Sequence, residues 1–171
     1  MPDGRFDIGK ISIAEDKNYI YENGKITVKK AEIKGEYKNL TDFYSIDEQY
    51  AYYDNKRIEG SDAKTFNVYE NYSFAGYAKD KDAIYFKGEK IENADIETFE
   101  LGKWQNDYAK DKNNVYFEAK ILDIADPKTF KDLAGVYAID KNYVYYFGKK
   151  IEDTDTNSFQ YLNYWYAKDK N

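Results

Sequence analysis

Residues 108–117 read YAKDKNNVYF, and close variants recur: YAKDKDAIYF at 77–86, YAIDKNYVYY at 137–146 and YAKDKN at 166–171. The Asp of this phrase falls at Asp16, Asp47, Asp80, Asp111, Asp140 and Asp169, in steps of 31, 33, 31, 29 and 29 residues. A fixed period of this length is the mark of a repeat architecture, in which each unit is too small to bury a core alone and must stack on its neighbours. The period divides the chain into one repeat domain, 1–171. Its units are approximately 12–43 (an atypical N-terminal cap), 44–76, 77–107, 108–136 and 137–165, with 166–171 a partial sixth unit or closing strand.

The distance from the first Tyr of the phrase to a later Phe is constant. Tyr44 to Phe66, Tyr77 to Phe99, Tyr108 to Phe130 and Tyr137 to Phe159 are each 22 residues. All variation lies between that Phe and the next Tyr, where the gap is 11, 9, 7 and 7 residues. A block that admits no insertions is packed; a segment that admits them is surface. The increments are even, which preserves side-chain facing in a strand, so the variable segment reads as strand or strand-flanked loop.

Within the constant block the pattern is β, turn, β, turn, β. YAK and the VYF-type triplets are strands of β-branched and aromatic residues. In VYY, Val144 and Tyr146 take the face opposite Tyr145, so one aromatic set is the less buried. Asp111–Asn114 suits a type I turn opened by Asp, with Asn tolerant of left-handed angles. Pairs such as Asn23-Gly24, Lys87-Gly88 and Phe147-Gly148 mark two-residue hairpins. Glu118-Ala119 lacks the glycine, and an altered turn is expected there. Asp62, Asp95, Asp126 and Asp155 then read as N-caps of one short helical turn per repeat, with Pro127 at a first helical position. The fold class is therefore mainly β: stacked β-hairpin or three-strand repeats with one short helical turn each, in an open solenoid-like array. A small closed propeller is the alternative.

Composition narrows the function. The chain of 171 residues has 20 Tyr and two Trp, no Cys, no His and a net charge of −6. No disulfide or thiolate metal site can form, and the commonest general base is missing. No basic stripe exists to neutralise phosphates, so a nucleic-acid partner is not expected. No apolar run approaches the roughly 20 residues of a membrane helix, and MPDGRFDIGK has no apolar signal region.

The phrases DKNYVYYFGKKI (Asp140 to Ile151) and DKNYIYENGKI (Asp16 to Ile26), with the following Ala-Asp-x-x-Thr-Phe, resemble the DKNYY repeat family of bacterial proteins. The resemblance covers units one to five and is weakest at DEQYAYYDNKRI in unit two. It implies a repeat protein of uncharacterised function, in the cell envelope or secreted, although no export signal is read in this chain.

Four further readings follow from the residues. The Asp-x-Asn/Asp pairs (Asp16 and Asn18, Asp80 and Asp82, Asp111 and Asn113, Asp140 and Asn142) have the spacing of hard-cation ligands, but Lys in the middle and the lack of a bidentate Glu favour a turn. The acids recur periodically, as structural groups do, so no enzyme and no cofactor is expected. Lys17, Lys81, Lys112, Lys141 and Lys170 suit a solvated edge that discourages further strand pairing. Tyr69, Tyr72, Trp104, Tyr164 and Trp165 lie in the variable segments and are the candidate partner contacts, since Tyr and Trp anchor protein partners and stack on sugars. The expected function is a non-enzymatic scaffold that binds another macromolecule, a protein, through one face. A carbohydrate-binding module and a structural spacer are the alternatives.

Overall fold

The computed structural model describes residues 13–15, 19–22, 25–29, 33–69, 76–103, 108–134 and 136–170. The chain divides into two compact units, residues 1–64 and 65–171. Among the described residues the protein is built of small antiparallel sheets, with no helix and no sheet closed into a barrel.

In residues 1–64, strands β1 (Ile13–Glu15), β2 (Tyr19–Glu22) and β3 (Lys25–Lys29) form one sheet. Strands β4 (Lys38–Asn39), β5 (Tyr44–Ile46), β6 (Ala51–Tyr53) and β7 (Lys56–Arg57) form the next, in chain order. In residues 65–171 the same four-strand meander appears three times. The first is β8 (Asn67–Val68), β9 (Tyr77–Lys79), β10 (Ile84–Phe86) and β11 (Glu89–Lys90). The second is β12 (Glu100–Leu101), β13 (Tyr108–Lys110), β14 (Val115–Phe117) and β15 (Lys120–Ile121). The third is β16 (Lys131–Ala134), β17 (Tyr137–Ile139), β18 (Val144–Tyr146) and β19 (Lys149–Ile151). A two-stranded sheet of β20 (Gln160–Asn163) and β21 (Tyr166–Lys168) follows.

The variable segment of the sequence is the first strand of each meander and its loop to the Tyr strand. Register breaks occur there, between Asp132 and Ala134 and between Tyr161 and Asn163. The constant block supplies the other three strands. Its two central strands are three residues long and bury their first two residues, one on each face. Val144 and Tyr145 point to opposite faces and both are fully buried, whereas Tyr146 is half-buried.

The hairpin between the second and third strands of the constant block has positive φ at both central residues: Asp54-Asn55, Lys87-Gly88, Glu118-Ala119 and Phe147-Gly148. This is the backbone of a type I′ turn, whose twist matches the strands it joins. The expectation that Glu118-Ala119 would be altered is corrected: Ala119 takes φ 62° like its counterparts. Tertiary contacts hold it there. Its N–H donates to the Tyr77 hydroxyl of the preceding repeat at 3.1 Å. The Gly148 N–H donates likewise to Tyr108 at 2.8 Å, but there a Cβ would lie 2.6 Å from the Phe117 ring, so glycine is required.

The helical turn is also corrected. Asp95–Phe99 and its counterparts form one isolated turn that does not propagate. The Thr98 N–H donates to the Asp95 carbonyl at 3.3 Å, and Asp95 Oδ1 accepts the Thr98 N–H and hydroxyl, so the capping chemistry is present without a helix. Helix initiation fixes several residues for little gain. Here the chain is drawn into β12 at Glu100, immediately after Phe99 enters the core.

That core spans repeats. One cluster joins Tyr77, Ile84, Ile91 and Phe99 to Ala109 and Tyr116 of the next repeat. The following one joins Tyr108, Val115 and Phe130 to Ala138 and Tyr145. Phe99 meets Tyr116 at 5.7 Å between ring centres, and Phe130 meets Tyr145 at 6.0 Å, both tilted. Each such side chain contributes about 1.5–3 kcal/mol on burial, and part of the packing around it comes from another repeat.

Candidate binding surface

The phrase that defines the repeat is consumed inside the fold. Asp47, Asp80, Asp111 and Asp140 are only 3–4% exposed. Asp111 shows why such burial is tolerated. Its Oδ1 accepts the N–H groups of Asn113 and Asn114, both at 2.7 Å, and its Oδ2 accepts the Tyr116 hydroxyl at 2.7 Å and the Asp95 N–H at 2.9 Å. Asp140 repeats the set with Asn142, Tyr143, Tyr145 and Asp126. Asp47 does so with Gln49, Tyr50, Tyr52 and Lys34. Two bonds close the local turn, one holds a Tyr of the next strand, and one reaches the preceding segment.

Electrostatics follow from this geometry. Burial pushes the Asp111 and Asp47 carboxyls up, but their four donors together outweigh it and hold both below the ordinary carboxylate value. Burial, then the bonded carboxylate, pushes the partner phenols of Tyr52, Tyr116 and Tyr145 well above theirs.

The turn is therefore set by the Asp side chain. Asn113, Asn114 and Asn142 do not adopt positive φ, which corrects the left-handed role expected for Asn. Asp16 and Asn18 lie outside the described residues; in the described pairs the Asp is committed to the turn, as where Asp111 Oδ1 accepts the main-chain N–H of Asn113. Among the described residues no cluster of three or more acidic side chains is arranged to hold a metal.

Lys17 lies outside the described residues, and the other lysines of the phrase remain more than half exposed while also making ion pairs. Lys112, Lys141 and Lys170 reach back to Asp95, Asp126 and Asp155 of the preceding repeat, at 2.5, 2.7 and 2.8 Å. Their own N–H groups donate to Thr98, Thr129 and Ser158 hydroxyls at 3.0–3.2 Å. Asp-Lys of one repeat thus grips Asp-x-x-Thr/Ser of the one before. The Lys112 ammonium holds the Asp95 carboxyl below its usual range, and Lys170 lowers Asp155 to about 2.

The family model for DKNYY matches residues 4–76, 77–134 and 123–171. The chain belongs to the DKNYY family. No curated protein and no solved structure matches it. The DKNYY letters are thus mostly structural: Asp is the hub, Lys the clamp, and the Tyr five positions after Asp the buried phenol.

What the phrase leaves free is the variable segment. Of the five candidate contacts, Tyr72 and Trp104 lie outside the described residues. Tyr69 packs on the Phe99 ring at 6.3 Å, and burial raises its phenol to about 12, so it is part of the packing around the core. Trp165 is 70% exposed and Tyr164 42%, their rings edge-to-face at 4.7 Å. The structure therefore brings only Tyr164 and Trp165 together at the surface. Sequence reasoning missed Leu162 and Tyr166 beside them, which are 53% and 66% exposed.

A groove of ≈ 440 Å³ runs between the first strands of two successive DKNYY repeats. Leu101, Tyr108 and Phe130 contribute apolar lining, and Lys103, Lys131 and Asp132 contribute charge. Its residues come from β12, the loop after it and β16, which vary between repeats, and from Tyr108, Ala109, Lys110 and Phe130 of the constant block.

Proposed function

We propose that this DKNYY chain is a non-enzymatic repeat scaffold that binds another macromolecule, a protein, through the face built by its variable segments. One observation carries the reading. The constant block buries the Asp and Tyr side chains of its phrase and most of its Phe side chains in internal contacts, whereas the variable segments add Leu101, Lys103, Lys131 and Asp132 to the groove and expose Tyr164 and Trp165. A fixed frame with one variable, partly aromatic face is the arrangement of repeat binders. The mixed Lys and Asp rim of the groove suits a polypeptide with both charge signs. In this reading the sheets of residues 65–171 continue as an open, solenoid-like stack, with a closed propeller as the competing arrangement.

Leu101→Arg fills the groove with charge, and Trp165→Ala removes the exposed ring. Affinity capture from native extract should return a protein that is retained by the parent chain, lost with Leu101→Arg or Trp165→Ala, and kept with Lys120→Ala in β15, on the opposite edge of the Leu101 sheet. Capture indifferent to both surface variants rejects the reading. The exposed Trp165 ring favours a second reading, a carbohydrate module. Reproducible glycan-array binding with quenching of tryptophan fluorescence would select it. Capture of nothing by either route would leave the spacer reading.

A further inference from the structure

Two positions that flank the Thr/Ser-Phe pair change charge from repeat to repeat. They read Lys64 and Asn67, Glu97 and Glu100, Lys128 and Lys131, then Asn157 and Gln160. Only the third pair is doubly basic. The register of the sheets leaves it uncompensated. Glu100 on β12 lies opposite Lys110 and pairs with it at 2.9 Å. Lys131 holds the same place on β16, but the residue opposite is Ile139.

Lys128 and Lys131 are both exposed and line one cleft of ≈ 500 Å³ with Ile139, Thr156 and Asn157. A further ammonium in its wall, that of Lys141, is committed to Asp126 at 2.7 Å. The carboxylate in the wall, that of Asp140, is 3% exposed and is held by four internal donors. Asp132 follows Lys131 on β16, so it points to the opposite face; it lines the neighbouring groove and not this cleft. Among the described residues, Lys128 and Lys131 have no ion-pair partner.

Phe130 and Lys131 line both this cleft and the groove over Tyr108, so the two are contiguous. We propose that Lys128 and Lys131 bind a pair of carboxylates on an extended segment of the protein partner, whose apolar side chains lie in the groove beside Leu101 and Phe130. Ammonium groups without a local counter-charge draw in acidic side chains and fix their register. Two features favour a polypeptide over a long polyanion. The contiguous groove has apolar lining, and one repeat earlier the same positions carry Glu97 and Glu100, which repel a continued run of negative charge. The inference rests on the reading of this face as protein-binding and names the partner's chemistry.

The test is an NMR titration of the isotope-labelled full chain with a capped pentapeptide of alternating Glu and Leu, Glu at both ends. Saturable shifts are expected at the amides of Lys128–Lys131 and Ile139–Lys141. Affinity should fall at least about tenfold when Gln replaces Glu in the peptide, and as much in the chain carrying Lys128→Gln and Lys131→Gln. Both lysines are exposed, so that variant keeps the fold. Salt raised from about 50 to 500 mM should also weaken binding. No saturable shift at these residues, or equal binding of the Gln peptide, overturns the proposal. Tighter binding of inorganic polyphosphate at the same residues makes the occupant a polyanion and overturns it too. A captured protein lost with Leu101→Arg but kept with the double Gln variant leaves protein binding standing and overturns the carboxylate site. Capture indifferent to Leu101→Arg and Trp165→Ala rejects the protein-binding reading itself, whatever the peptide does.

Discussion

Asp111 Oδ2 accepts the main-chain N–H of Asp95 at 2.9 Å, across sixteen residues and one repeat boundary. The same bond joins Asp140 to Asp126 and Asp169 to Asp155 at 2.8 Å. One carboxylate thus closes its own turn, holds its own Tyr and ties down the preceding repeat. Asp111→Asn keeps the shape but sets amide hydrogens against the N–H and O–H donors. A loss of about 3–5 kcal/mol is expected, the range for breaking a buried charged network, read as a lower urea midpoint.

Tyr116→Phe removes one hydrogen bond to a carboxylate and leaves the ring in place. The expected cost is about 1.5–3 kcal/mol. Lys112→Ala breaks an ion pair that lies mostly in solvent. Its cost should be the smaller of the two, because solvent screens the pair, although this Lys recurs in nearly every repeat. Chemical denaturation of the two variants side by side checks the ranking.

The two hairpin turns facing Tyr77 and Tyr108 should respond in opposite directions. Ala119→Gly relieves a left-handed alanine and should raise stability by about 0.5–1 kcal/mol. Gly148→Ala drives a Cβ into the Phe117 ring at 2.6 Å and should lower the melting temperature.

The pH profile follows from the same groups. Asp47 and Asp111 are lowered in the folded state, as are Asp95, Asp126 and Asp155 by their lysines. Their contribution is present above the unfolded value of about 3.9 and is lost as pH falls through the lowered values. The phenols of Tyr52, Tyr116 and Tyr145 are raised. Their contribution is present below about pH 10 and is lost as pH climbs through the raised values. The urea midpoint should therefore be flat between about pH 5 and 9 and fall on both sides.

The repeat, its hairpins and its capping Asp residues were legible because each rests on local chemistry with a fixed offset. The hub was legible only in part. A Tyr stands five residues after every Asp from Asp16 to Asp140, and that offset was the available signal for the Asp–Tyr bond. The Lys clamp was not legible, because Asp95 and Lys112 meet only once neighbouring repeats are packed. The helical turn was misread because capping chemistry does not reveal that the next residue enters a strand. Ala119 was misread because the Tyr77 hydroxyl holding its turn comes from another repeat. Tyr164 and Trp165 stand out in the sequence as aromatic residues of a variable segment and are exposed, but nothing local to Tyr166 separates it from the buried Tyr108 and Tyr137.

Hydrogen exchange of the full chain carrying Asp111→Asn tests the coupling between repeats most directly. Protection should fall together in Ile91–Phe99 of one repeat and Tyr108–Phe117 of the next, because one carboxylate serves both. A loss confined to Tyr108–Phe117, with Ile91–Phe99 as protected as in the parent chain, would contradict it.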